Sequence, residues 1–99
     1  MSVEEFRNYN DRDYLRWVSD HHRGYVLNIQ RTYNPGDARL HLAYCDTITG
    51  TPARGDTFTS DWVKVCSESL QELDSWAIQH TGSAVTRCGT CHPPGPVRR

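Results

Sequence analysis

Gly24-Tyr25-Val26-Leu27-Asn28-Ile29-Gln30-Arg31, then Asn34-Pro35-Gly36-Asp37, then Arg39-Leu40-His41-Leu42-Ala43-Tyr44-Cys45: this run decides the fold class. The first segment is rich in β-branched and aromatic residues and reads as a strand. The Asn-Pro-Gly-Asp sequence is a strong turn signal. The last segment alternates, with Leu40 and Leu42 on one face and Arg39, His41 and Ala43 on the other. The two segments are expected to pair as a hairpin.

Outward from this hairpin, Trp62-Val63-Lys64-Val65-Cys66 reads as a third strand, and the Thr-, Gly-, Asp- and Pro-rich stretch 46–61 between them as a loop. Helical periodicity appears on both sides. Upstream, Asn10 is placed as an N-cap before the acidic first turn Asp11-Arg12-Asp13, and Tyr14, Trp17, Val18 and His21 fall on one face. Gly24 is expected to stop that helix. Downstream, Ser67 to His80 reads as a second helix with Leu70, Leu73, Trp76 and Ala77 as its buried stripe and Gly82 as its end. Ser67 fits as N-cap, and Ser69 with Glu72 fits a capping box if the start lies slightly later. Residues 1–9 are polar and expected to be flexible, 10–92 to form one domain, and 93–99 to be a Pro-rich flexible tail. The expectation is a small α+β domain stabilised by zinc, with a short antiparallel sheet of two to three strands and two helices.

The chain has 99 residues and only 36% apolar composition, so its core will be thin and a metal or a partner would help it. The net charge of −1 excludes strong attraction of the whole molecule to nucleic acid or to acidic membrane. Ten of the cations are Arg and one is Lys. That bias suits bidentate phosphate contacts, and a GC-rich genome produces it as well. No stretch approaches the length of a membrane span. The acidic start Met-Ser-Val-Glu-Glu lacks the pattern of a secretory signal, and a cytoplasmic location is expected. In a reducing compartment four Cys point to metal ligands or free thiols rather than disulfides.

Cys88-Gly89-Thr90-Cys91 places two thiols two residues apart around a small flexible pair, the geometry of a zinc knuckle. A structural zinc takes four ligands, so another pair must come from elsewhere. His41 and Cys45 are the best candidates, four residues apart at the end of a strand. Cys66 competes with His41, as a fourth thiolate or as an ordinary buried thiol. His92 is a weaker alternative, because adjacent residues rarely point at one centre. A redox dithiol at Cys88/Cys91 would be expected to open a helix after a strand, whereas here a Pro-rich tail follows.

With His41, Cys45, Cys66-Ser67-Glu68-Ser69-Leu70, Cys88, Cys91 and Pro93 in view, the segment 41–93 resembles the zinc-binding N-terminal domain of bacterial Ada DNA-repair proteins. It is also similar to H-x3-C…C-x2-C modules appended to bacterial nucleases. The resemblance implies a bacterial Zn2+-binding module with His41, Cys45, Cys88 and Cys91 as ligands and DNA or RNA as its partner. His41 stands where those proteins carry the cysteine that accepts a methyl group. An imidazole cannot be that sacrificial thiolate, so no methyl transfer is implied, and the family's basic run near the second cysteine pair is reduced here to Arg87.

Candidate nucleic-acid contacts are Arg31, Arg39, Arg54, Lys64 and Arg87, with Tyr33 and Trp62 as stacking surfaces. The other reading is a structural or protein-interaction module in which zinc only closes the fold. Catalysis finds no support in motifs. The H-x-E of zinc deaminases, H-E-x-x-H, a phosphate loop and a Ser/His/Asp motif are all missing. Asp20-His21-His22 reads as the polar end of a helix, favoured there by the helix dipole.

Overall fold

The computed structural model describes residues 3–8, 10–34, 36, 38–43, 45, 59, 62–83 and 85–88. Within them the chain runs β1 (Glu4–Phe6), α1 (Asp11–Asp20), β2 (Tyr25–Gln30), β3 (Arg39–Leu42), β4 (Trp62–Ser67), α2 (Leu70–Thr81) and β5 (Thr86–Arg87). The strands form a 5-stranded sheet in the order β1-β4-β2-β3-β5. The fold class is α+β, as the sequence implies, but the sheet has more strands than the two or three expected. It is also mixed, because β5 runs parallel to β3 while every other pairing is antiparallel.

The expected hairpin is present: β2 and β3 pair with Tyr25 opposite Leu42 and Asn28 opposite Arg39. On its other side β2 pairs along its whole length with β4, which makes β2 the central strand. The apolar run Val26-Leu27 reflects burial of both faces of the sheet, one side chain going to each cluster, because a strand covered on both faces has no solvent side to mark with polar residues.

Successive residues of β2 belong to different cores. Val26 packs with Phe6, Tyr14, Trp17, Val18, Ala43, Cys45, Cys66 and Cys88. Leu27 and Ile29 pack with Leu40, Val63, Val65, Leu73, Trp76 and Ala77. Since side chains alternate along a strand, α1 covers one face of the sheet and α2 the other. The sheet is therefore the middle of three layers, and a modest apolar content serves two small cores rather than one.

Both helices start close to where their caps allow. Asn10 occupies the N-cap of α1 without a side-chain cap bond, so Asp11 and Asp13 in the first turn are what favour that end. At α2 the Ser69 hydroxyl accepts from the Glu72 N–H at 3.3 Å. Ser67 is not the cap. It ends β4, its hydroxyl donates to Glu72 Oε1 at 2.7 Å and it accepts the Ser69 N–H at 2.9 Å. The helix stops at Gly82, whose φ of 79° is the left-handed conformation that glycine adopts without strain. Gly24 serves differently: a Cβ there would lie 2.5 Å from Trp17 Cη2, so the absence of a side chain lets the indole close over the sheet.

Two elements differ from expectation. Glu4–Phe6, assigned above to a flexible lead-in, form β1 on the edge of β4, with Glu4 opposite Cys66 and Phe6 opposite Lys64. Thr86–Arg87 form β5 against β3. Both strands are too short to show a period, and both are held by partners distant in sequence. The loop 46–61, apart from Thr59, and the tail 93–99 lie outside the described residues. Thr59 is fully buried and donates to Asp11 Oδ1 at 2.6 Å.

Candidate metal centre

The α1 side of β3 ends in a histidine. Leu40 points to the α2 core, so His41 points the other way, beneath α1, and is only 5% exposed. Past β3 the chain curls back, with the Cys45 N–H donating to the Leu42 carbonyl at 3.0 Å. That turn brings the Cys45 thiol to the same face. The third group arrives from far along the chain. Cys88 follows β5, and its N–H donates to the Leu40 carbonyl at 2.8 Å, continuing the parallel ladder. The ligand atoms of His41, Cys45 and Cys88 all lie within 4.8 Å of one another, and all three residues are buried.

A tetrahedral zinc with bonds of roughly 2.0–2.3 Å separates its ligand atoms by about 3.5 Å. The observed spacing, at most 4.8 Å, lies close to that figure. The imidazole is in the form a metal requires. Burial, with the positive charges of Lys64 and Arg39 adding to it, pushes His41 down to about 4, so it is neutral at neutral pH. Val26, Tyr14, Trp17 and Val18 share one buried cluster with Cys45 and Cys88. Two soft thiolates and an imidazole in a buried pocket suit a zinc-type ion better than an oxygen-seeking cation such as calcium. These three residues are thus a group that could hold a metal ion.

Cys66 is not part of the group, and the sheet register says why. Val26 has His41 as its partner on one side and Cys66 on the other. Two strand spacings therefore separate His41 from Cys66, on the order of 10 Å. Cys66 is fully buried, and burial pushes its thiol well above the usual range, with nearby Lys64 opposing and Glu4 adding to the shift. It behaves as a core residue. Cys91 and His92 lie outside the described residues, as does Arg54.

The proposed nucleic-acid contacts fare unevenly. Arg31 is exposed. Arg39 is exposed as well, and its guanidinium donates to the Ala38 carbonyl at 2.7 Å. Lys64 is not a surface cation: it is 4% exposed, donates to Asn28 Oδ1 at 2.8 Å and lies 5.7 Å from the centre of the Tyr14 ring. It sits on an inner strand with its side chain under α1, and alternation with Val63 and Val65 sends it there. Burial brings its ammonium down to about 8, with Asp11 and Cys66 pulling the other way. Arg87 is engaged in a two-pronged pair with Asp74, at 2.8 and 3.0 Å. Tyr33 has a φ of 62°, and its ring meets Trp76 edge-on at 5.2 Å between centroids, with the Arg7 guanidinium over it.

The buried partnership of Lys64 with Asn28 is the feature that sequence reading missed. In the sequence its signal is weak: the sole lysine of the chain falls between two valines, and only the burial of β4 from Val63 to Ser67 makes that an inner position.

Comparison of the chain with known protein families, with curated proteins and with solved structures gave no match.

Proposed function

We propose that this chain is a non-catalytic, zinc-stapled module that presents its surface to a protein partner, with Zn2+ held by His41, Cys45, Cys88 and Cys91. The observation that carries the metal part is the convergence of three donors, two at the end of β3 and one just after β5, within 4.8 Å in a buried pocket. Cys91 is the fourth ligand by its knuckle spacing from Cys88. The zinc does what a long hydrophobic β5 would otherwise have to do, which is to hold a two-residue edge strand on the sheet.

Zinc in this setting is structural. A catalytic zinc keeps an open position for water, whereas four protein ligands fill the tetrahedron. His41 occupies the position of the thiolate that accepts methyl groups in the proteins the segment resembles, so methyl transfer is not part of the proposal.

A protein partner is favoured over DNA or RNA by the state of the cations. Of the five cations first assigned to nucleic-acid contacts, Lys64 is buried, Arg87 is committed to Asp74 and Arg54 lies outside the described residues. A net charge of −1 adds no general attraction to a polyanion. The nucleic-acid reading rests on Arg31 and Arg39, which remain exposed.

Cobalt substitution tests the site. Co2+ bound by thiolates in a tetrahedron gives intense charge-transfer absorption and visible d–d bands, which are predicted for the wild-type protein and lost in Cys45→Ser. A spectrum typical of six-coordinate cobalt would overturn the ligand set. Titration with single- and double-stranded DNA and RNA at low salt tests the partner class. Tight binding with a steep salt dependence would favour nucleic acid.

A further inference from the structure

The same two sulfurs have a second way to join the ends of the sheet. Cys45 lies just past β3 and Cys88 just past β5, and their Sγ atoms are within 4.8 Å of each other. Both backbones are anchored to β3 itself, Cys45 N–H on the Leu42 carbonyl and Cys88 N–H on the Leu40 carbonyl. A disulfide of about 2.05 Å therefore requires side-chain rotation and a small approach, not a new chain path. It would also close a long loop, running through β4, α2 and β5, and a long loop is where a cross-link restricts the unfolded chain most.

We propose that Cys45 and Cys88 form a disulfide when a peroxide removes the metal, and that this bond takes over the metal's work of holding β5 on β3. The metal-release half rests on the zinc reading above; the disulfide half rests on sulfur positions alone.

The chemistry balances with hydrogen peroxide as the oxidant. The Cys45 thiolate attacks one peroxide oxygen, an S–O bond forms, the O–O bond breaks and hydroxide leaves. The Cys88 thiolate then attacks the Cys45 sulfur, an S–S bond forms and a second hydroxide leaves. Two thiolates lose two electrons, and peroxide gains them as two hydroxides, which take protons to become water. The metal keeps its oxidation state and departs because its sulfur donors are consumed. The 3% and 7% exposures of the two cysteines admit a small oxidant and exclude a bulky one such as oxidised glutathione. Cys66, fully buried and two strands from His41, takes no part.

The test uses the full chain loaded with zinc and treated with hydrogen peroxide. Released zinc is followed with a chromogenic chelator, the bond is located by peptide mass mapping without reduction, and thermal unfolding is recorded for the zinc-loaded, reduced metal-free and oxidised metal-free forms. One zinc is expected per disulfide formed, with the Cys45 peptide joined to the Cys88 peptide. The oxidised metal-free form should melt at least about 10 °C above the reduced metal-free form. Dithiothreitol with zinc should restore the starting state. Cys66→Ala should behave as wild type, and Cys88→Ser should lose the rescue. A Cys88–Cys91 bond, a bond to Cys66, or equal melting of the two metal-free forms would overturn the proposal. If the protein takes up no zinc, the functional reading fails, and the peptide map still decides the disulfide.

Discussion

The Cys88 N–H donates to the Leu40 carbonyl at 2.8 Å, and this bond places the Cys88 thiol beside the imidazole of the residue that follows Leu40. A two-residue parallel strand is thereby tied to the sheet at the spot where three metal donors meet. Local backbone pairing and the metal site are the same piece of structure, so each should depend on the other.

Metal removal under reducing conditions should consequently loosen one edge of the sheet first. Hydrogen exchange is predicted to speed up at the amides of 86–88 and at Cys45, while the amides of Tyr25–Gln30 on the central strand stay protected. Mass spectrometry of exchange before and after chelation checks this. Uniform acceleration across the sheet would mean that the metal holds the entire fold.

Glycine substitutions separate two kinds of constraint. Gly24→Ala should destabilise by about 1–3 kcal/mol because the new methyl meets Trp17 at 2.5 Å. Gly82→Ala should lose about 1–2 kcal/mol, because the site has open space and the penalty comes from the positive φ alone. Gly82→Asn should be milder than Gly82→Ala, since asparagine tolerates that conformation. Urea denaturation measures all three.

Capping gives a third test. Ser69→Ala removes the acceptor of the Glu72 N–H at the start of α2 and is expected to lose about 1 kcal/mol. Ser67→Ala should have a comparable effect, since Ser67 both receives the Ser69 N–H and holds the Glu72 carboxylate.

Lys64 sets a pH dependence whose sign is fixed by its burial. Its ammonium titrates at about 8 in the folded chain against an ordinary 10.5. Between those values the unfolded chain carries the proton and the folded chain does not, so this contribution to stability rises with pH across the window. Below about pH 8 the full cost of burying the charge is present; above 10.5 it is gone. The difference is on the order of 3 kcal/mol. Lys64→Met should remove that slope. Burial pushes Cys66 and Tyr14 up, so their unfolded forms ionise in the same range and lower stability as pH rises; the Lys64 contribution is read as the difference between the wild-type and Lys64→Met curves. At pH 7 the variant should be close to wild type, since the lost hydrogen bond to Asn28 is offset by relief of charge burial. An unchanged slope would show that Lys64 is solvated.

The long elements were legible because each carried a period. Alternation along the strand puts His41 with Arg39 and Ala43 on the face opposite Leu40 and Leu42, and of the helical stripe Leu70, Leu73, Trp76 and Ala77 the last three are buried on α2. Cys45 and Cys88 were legible as donors from their chemistry and spacing, with His41 and Cys66 competing for a further place. The edge strands were not, because three residues at Glu4–Phe6 and two at Thr86–Arg87 carry no period, and tertiary pairing makes them strands. Lys64 was misplaced for a related reason: a lone charge in a strand reads as its wet face, unless the strand is known to be covered on both sides. Nor could spacing alone choose between His41 and Cys66. The choice came from register, with Val26 standing between them.

The metal content of purified protein tests the central claim most directly. Elemental analysis of wild type, His41→Ala and Cys66→Ala, each purified under reducing conditions, is predicted to show one zinc per chain in wild type and in Cys66→Ala, and a large loss in His41→Ala. Wild-type protein without metal, or zinc lost in Cys66→Ala and kept in His41→Ala, would contradict the account.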